Sequence, residues 1–291
     1  MNPTATPYVL HRSVQFDMTS AITGRAYRLF VHAPLAPPPP GGYPVLYVTD
    51  GNATFGFAAS QAELDALSEG GVVVVGVGYP IDAASREGLL PALALRGRDL
   101  TASAPNTPPG DPPANPAQYG GADSFFRFLT EELRPVIVGS YRADPVNQTL
   151  YGHSLGGLFV LDTLFRSPDS FRGFAASSPS IWWNDQEILA GEAAFARAIE
   201  DGATAPRILI TVGDLEETPG GPTPPGLSDE AYKARLASAR MVGNARDLAG
   251  RLSKLKGGPG YAVRSQVFEG EDHNSVMAAS IARAVRFARQ G

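Results

Sequence analysis

The sequence predicts an α/β fold, a doubly wound and mostly parallel sheet of about eight strands, in one domain spanning residues 1–291. Three observations predict it. Short, continuous apolar runs recur along the chain, as strands covered on both faces require. Segments of helical length separate them, which is the pattern of strands joined by crossover helices. The first two strand-like segments alternate apolar and polar residues instead, as antiparallel edge strands do.

Residues 9–18 and 25–33 are the alternating pair. Residues 34–42 (PLAPPPPGG) cannot donate a strand ladder and form a stiff connector. Buried strands are expected at 45–49, 72–77, 148–152, 173–177, 208–212 and 261–268. Helices are expected over 122–138, 155–165, 187–199, 229–255 and 274–289. In the first of these, Phe125, Phe126, Leu129 and Leu133 fall at helical spacing. Gly243 and Gly250 are expected to divide the 229–255 stretch into two helices. Residues 103–121 and 218–226 (TPGGPTPPG) are rich in Pro and Gly, lie between patterned segments, and read as surface loops.

Composition narrows the function classes. The chain has no cysteine, which excludes thiol catalysis, thiolate metal sites and disulfides. A net charge of -5 argues against a nucleic-acid partner, which needs a basic face. No apolar run approaches the roughly 20 residues that span a bilayer. The N-terminus, MNPTATPYVL, lacks a basic segment followed by an apolar one, so the expected compartment is the cytoplasm, or the periplasm if a leader has been removed. No H-E-x-x-H or comparable ligand spacing occurs, and neither a metal nor another cofactor is expected.

The chemistry enters at Gly152-His153-Ser154-Leu155-Gly156. This G-x-S-x-G follows an apolar strand and opens an apolar helix, the context of a nucleophile elbow in an α/β-hydrolase fold. The glycines let strand and helix backbones approach, and the serine is presented at the strand's C-terminal end. Ser154 is the expected nucleophile, and the Leu155 N–H an expected oxyanion donor. A serine hydroxyl needs a base to take its proton. Of four histidines, His11 and His32 lie far before the elbow, and His153 beside the nucleophile is expected to pack or bond the backbone. His273, between the last strand and the last helix, stands where nucleophile–acid–base order puts the base. The acid is expected after the 208–212 strand, where Asp214, Glu216 and Glu217 compete and Glu216 is favoured. The turn Asp50-Gly51-Asn52 should supply the second oxyanion N–H, from Gly51 or Asn52. Arg96 and Arg98, in a loop over the strand ends, and Trp182 and Trp183, beyond the 173–177 strand, are candidate substrate contacts; the alternative is that the tryptophans fill core and Arg98 pairs with Asp99 or another carboxylate.

Segments VLYVTDGNATF, RGRDLTAS, GGADSFFRFLTEELRPVI, LYGHSLGGLFVLDTLFRSPDSFRGFAASSPSIWWND, VGDLEE, MVGNARDLAGRL and FEGEDHNSV span most of the chain. They resemble the enterochelin-esterase-like, siderophore-esterase branch of the "Putative esterase" (esterase D-like) family. The resemblance implies a carboxylic-ester hydrolase whose substrates include the trilactone of ferric catecholate siderophores such as enterobactin and its glucosylated forms. It implies Ser154 as nucleophile, His273 as base and Glu216 as acid, although some siderophore esterases act with a serine–histidine pair alone. Residues 218–226 depart from the family pattern, and the Pro-rich stretch near 105–116 is longer and would form a lid or rim. A ferric tricatecholate is a bulky trianion that calls for arginine and flat apolar surface. The competing expectations are a short-chain carboxylesterase or aryl esterase without a siderophore role, and an idle binding protein on the same fold.

Overall fold

A computed structural model describes residues 6, 8–67, 70–81, 86–106, 115–219, 222–223 and 225–290. Most of the expected lid or rim, residues 107–114, and part of the 218–226 connector lie outside the described residues. Eight strands form one sheet: β1 (Ser13–Thr19), β2 (Ala26–His32), β3 (Tyr43–Val48), β4 (Val73–Gly78), β5 (Ala143–His153), β6 (Gly173–Ser177), β7 (Arg207–Gly213) and β8 (Ala262–Phe268). Their order is β1-β2-β4-β3-β5-β6-β7-β8. β2 pairs antiparallel with β1 and β4, and every other pairing is parallel, so the expected edge pair and parallel centre both form.

The period of two in the strands sorts the core into two layers. Val45 and Tyr47 of β3 pack on one face with Leu150, Phe174, Ile208 and Ile210. Leu46 and Val48 pack on the other with Tyr151, Ala175 and Leu209. Each fully buried Val, Leu, Ile or Phe among them contributes ~1.5–3 kcal/mol. Helices α1 (Gly51–Asp65) and α9 (Val276–Arg289) cover the second face. The first face lies under α2 (Arg86–Leu100), α3 (Ala122–Arg127), α4 (Arg134–Tyr141), α5 (Leu155–Arg166), α6 (Glu192–Glu200) and α8 (Met241–Leu252), with α7 (Asp229–Ala239) outside it and without a buried residue.

Three expectations are corrected. Residues 51–65 and 86–100 are helices, so Gly51 and Asn52 begin a helix and Arg96 and Arg98 belong to one, not to a loop. The 122–138 helix runs on to Tyr141 through a π segment, Phe128–Leu133. Pro135 explains the widened turn, because it has no N–H to donate and its ring crowds the carbonyl four residues back. The 229–255 stretch divides at Arg240, held in a left-handed conformation (φ 44, ψ 45), and not at Gly243 or Gly250.

Candidate active site

The elbow is a glycine-dictated turn. A Cβ on Gly152 would lie 2.1 Å from the Gly156 carbonyl oxygen, and one on Gly156 would lie 2.4 Å from Thr49 Oγ1. Only hydrogen fits at either position, so β5 can run straight into α5. The cost falls on Ser154, which sits at φ 61, ψ -118 between them. Such a conformation costs ~1–3 kcal/mol in a non-glycine residue and persists only where its surroundings over-determine it. Here they do: Ser154 donates its N–H to the Ser177 carbonyl (3.0 Å), and its own carbonyl accepts from Leu158 (3.0 Å) and Ser180 (3.2 Å).

His273 lies in a short turn ahead of α9. Asp272 fixes that turn, its Oδ1 accepting from the N–H groups of Asn274 and Ser275, each at 2.8 Å. Those donors, Ser275's first, lower the Asp272 carboxyl below the usual range. His273 Nδ1 donates to Glu216 Oε2 at 2.6 Å. The Glu216 side chain is 1% exposed, while that of His273 is 41% exposed. Glu216 Oε1 accepts from Ser178 Oγ (2.6 Å) and from the Gly213 N–H (2.8 Å). A buried carboxylate is tolerated when its lone pairs are matched in this way. With Nδ1–H given to Glu216, the imidazole lone pair lies on Nε2. Asp214 and Glu217 are spent elsewhere: Asp214 accepts from the Gly270 N–H at 2.8 Å, and Glu217 from the Gly243 N–H at 2.6 Å.

His153 ties the two halves of the site together. It is buried, its ring centroid 4.7 Å from that of His273, and its Nδ1 lies 3.1 Å from Ser177 Oγ. Burial first, then the neighbouring His273 and Arg96, lower its imidazole to about 3. It is therefore neutral at neutral pH and packs against His273.

β3 and β5 are neighbouring parallel strands, so the turns at their C-terminal ends open side by side. The unpaired N–H groups of a helix's first turn point outward along its axis. The starts of α1 at Gly51 and α5 at Leu155 therefore present N–H donors at one sheet edge. Gly51 is glycine for a different reason than a close ligand. A Cβ there would meet the Gly76 and Val77 backbone at 2.7 Å. Asn52 is clamped by its side chain to both the N–H (2.7 Å) and carbonyl (3.0 Å) of Tyr79.

The two arginines are committed within the protein. Arg96 donates to Asp50 Oδ1 at 2.8 Å and to the His153 carbonyl at 3.1 Å. Arg98 donates to the Tyr119 carbonyl. The tryptophans part company: Trp182 is 39% exposed, whereas Trp183 is buried against Tyr119, ring centroids 5.8 Å apart. Their turn packs on the elbow through the Ser180–Ser154 bond. Sequence reasoning missed Ser178, the donor to Glu216, because nothing in SSPS marks one serine over another. It also missed the Arg96–Asp50 link, which joins residues 46 positions apart. Among the described residues, no group of three or more His, Asp or Glu side chains is placed to hold a metal ion. No helix among them is long and apolar enough to cross a membrane.

Such a constellation can transfer an acyl group: a part-buried serine hydroxyl on a strained turn, an imidazole oriented by a buried carboxylate, and helix-start N–H groups beside it. Comparison with known proteins points the same way. The family described as "Putative esterase" matches residues 20–247. The ferri-bacillibactin esterase BesA of Bacillus subtilis (strain 168) is 36% identical over 281 residues, which cover 93% of this chain and 87% of that protein. The siderophore triacetylfusarinine C esterase of Aspergillus fumigatus is 34% identical over 303 residues, covering 98% of this chain and 96% of that one. Among solved structures, the BES protein from Bacillus cereus superposes with a TM-score of 0.81 at 30% identity, covering 99% of this chain and 98% of that chain. With the family match running over most of the sequence and the relatives aligned nearly end to end, this chain belongs to the "Putative esterase" family and is an esterase built on the α/β-hydrolase fold.

Proposed function

We propose that this chain hydrolyses the trilactone ester bonds of a ferric catecholate siderophore, with Ser154 as nucleophile, His273 as general base and Glu216 as the acid that orients it. The observation that carries the catalytic part is the 2.6 Å contact between His273 Nδ1 and the buried Glu216 carboxylate beside the elbow. His273 Nε2 takes the proton of Ser154 Oγ as Oγ attacks the ester carbonyl carbon. The carbonyl π pair becomes an oxyanion, met by the Leu155 N–H and by that of Gly51 or Asn52. Each such donor is worth ~10²–10³ in rate. The tetrahedral intermediate collapses, the alkoxide leaves with the proton from His273, and an acyl-serine remains. Water, deprotonated by the same imidazole, then frees the acid. Glu216 stabilises the imidazolium formed in both halves.

The siderophore part rests on the relatives, named as esterases of ferri-bacillibactin, of triacetylfusarinine C and, at 33% identity, of enterobactin. The exposed Trp182 beside the elbow offers a flat apolar face to an aromatic ring. One observation favours the plainer reading, an esterase of short acyl or aryl esters: Arg96 and Arg98, expected to meet a trianion, are engaged with protein acceptors. One experiment decides. Chromatography of ferric enterobactin and p-nitrophenyl butyrate digests should show linearised siderophore at a kcat/KM above that for the simple ester. Brisk turnover of the simple ester with no lactone cleavage would leave the plainer reading.

A further inference from the structure

We propose that Arg96 is a positioning residue that sets the separation of the two oxyanion-hole N–H groups, a role resting on the esterase reading above. Its guanidinium spans two acceptors that belong to different turns. Nε donates to Asp50 Oδ1 at 2.8 Å, and Nη2 donates to the His153 carbonyl at 3.1 Å. Asp50 is the residue before Gly51-Asn52, and His153 the residue before Ser154-Leu155. One rigid fork therefore grips both turns immediately upstream of the N–H groups that must converge on a single oxygen. Such donors act when each lies 2.7–3.1 Å from the oxyanion, so a small change in their spacing weakens both.

The turn needs holding. Asp50 is left-handed at φ 55, ψ 39, a conformation uncommon outside glycine and one that aspartate tolerates better than most residues. The elbow packs closely against the turn: a Cβ on Gly156 would lie 2.4 Å from Thr49 Oγ1 and 3.4 Å from Asp50 Oδ2. Asn52 is tied to the Tyr79 backbone from behind, and the Tyr79 hydroxyl lies 3.2 Å from Asp99. Arg96 and Asp99 are one helical turn apart on α2. That single helix therefore braces the turn directly through Arg96 and through Tyr79 by way of Asp99. Arg96 and Asp50 are only 22% and 16% exposed, which suits a brace better than a capture site for a large anion. A lysine keeps the charge but is a point donor that cannot hold two acceptors at a fixed spacing.

The test is steady-state kinetics of Arg96→Ala, Arg96→Lys, Asp50→Asn and the Arg96→Ala/Asp50→Asn double variant on neutral p-nitrophenyl butyrate. Circular dichroism and thermal melting report the folded fraction, and Ser154→Ala runs alongside. Arg96→Ala should lose kcat about 100-fold, the scale of a small misplacement at a reacting centre, with KM within about threefold. Arg96→Lys should lose nearly as much, since charge alone is not the point. Millimolar guanidinium should restore part of the Arg96→Ala rate. The double variant should be little worse than the worse single one. Affinity for an alkyl trifluoromethyl ketone, which forms an oxyanion adduct on the serine, should fall by the factor lost in kcat/KM. A loss confined to ferric enterobactin, with normal kcat on the neutral ester, would overturn the proposal in favour of substrate contact. A loss that vanishes once the folded fraction is corrected would overturn it in favour of a purely structural part. If Ser154→Ala stays active, the nucleophile assignment falls and the brace with it; if it is dead while Arg96→Ala is normal, only the brace falls.

Discussion

Two carboxylates flank the Ser154 strand in the sheet order, Asp50 on the β3 side and Glu216 on the β7 side, and their partners differ in kind. Asp50 faces a guanidinium, which stays charged at every working pH. Glu216 faces an imidazole that is exposed on its other side, and its remaining acceptor capacity is taken by a hydroxyl and a backbone N–H. The first pair cannot change charge during a reaction cycle and is suited to hold geometry. The second can, and is suited to follow a proton. A carboxylate at one sheet edge thus takes two roles, set by the kind of partner it meets.

The largest effects should come from the proton-following side. Ser154→Ala and His273→Ala should each cost at least about 10⁴-fold in kcat on p-nitrophenyl butyrate, and the double variant should be no worse than either, because the two act as one unit. Additive losses in the double variant would break the pair. Glu216→Gln should follow at about 10³-fold, with the imidazole less well oriented and its cation less stabilised. Asp214→Asn and Glu217→Gln should stay within about fivefold, since their carboxylates hold loop amides at Gly270 and Gly243. A ranking led by Asp214→Asn would move the acid there and dissolve the contrast with Asp50.

A smaller effect, on stability, sharpens the bracing side. Asp99 is buried between Arg25, Tyr27 and Tyr79, and burial outweighs the pull of Arg25, raising its carboxyl to about 6. The folded state therefore holds a proton that the unfolded chain releases, and this group's share of stability falls as pH rises from about 4 to about 6. His153, lowered to about 3, works in the opposite sense: its share is present above about 6.5 and is lost as pH falls. Between pH 4 and 6 the two oppose each other, at up to ~1.4 kcal/mol per pH unit apiece. Asp99→Asn should leave His153 unopposed, so that urea midpoints at pH 4.5, 5.5 and 6.5 rise more steeply with pH than in the wild type. An unchanged slope would show that Asp99 titrates normally and that its side of the brace carries no buried strain. The smallest effect is expected from Arg98→Ala, within about threefold in kcat/KM on charged and neutral esters alike, because its guanidinium serves the Tyr119 turn. A selective loss on an anionic substrate would return Arg98 to the binding surface.

Much of the site is readable from local pattern. The elbow announces itself because glycine spacing, an apolar strand and an apolar helix all act within a dozen residues of Ser154. His273 follows from chain order after the last strand, and the alternating edge pair from its period of two. The helices α1 and α2 were hidden for equally physical reasons. α1 begins with GNATFG and buries Gly51, Thr54, Phe55, Ala58, Ala59, Ala62 and Asp65, of which only Phe55 is a large apolar residue, so the apolar stripe that marks a helix is faint behind a turn-like start. α2 contains Gly88, Pro91 and Gly97, each unfavourable in a helix, and forms nonetheless as one of the layers on the sheet. Reading it as loop put Arg96 and Arg98 over the substrate when packing turns them toward the protein.

The sequence by itself determined the alternation of strand and helix and the serine's turn, because each depends on residues near in the chain, and the position of the histidine, because it follows the order of elements along the chain. Only the tertiary structure decided which acid meets that histidine. Asp214, Glu216 and Glu217 lie in one 3₁₀ turn, whose three residues per turn put Asp214 and Glu217 on one side and Glu216 on another. Asp214 reaches the Gly270 amide, Glu217 the start of α8, and Glu216 alone turns inward to Ser178 and His273. Three carboxylates of like chemistry are separated by where β6, α8 and the 269–273 loop happen to stand around them, and that depends on contacts 26 to 57 residues away along the chain.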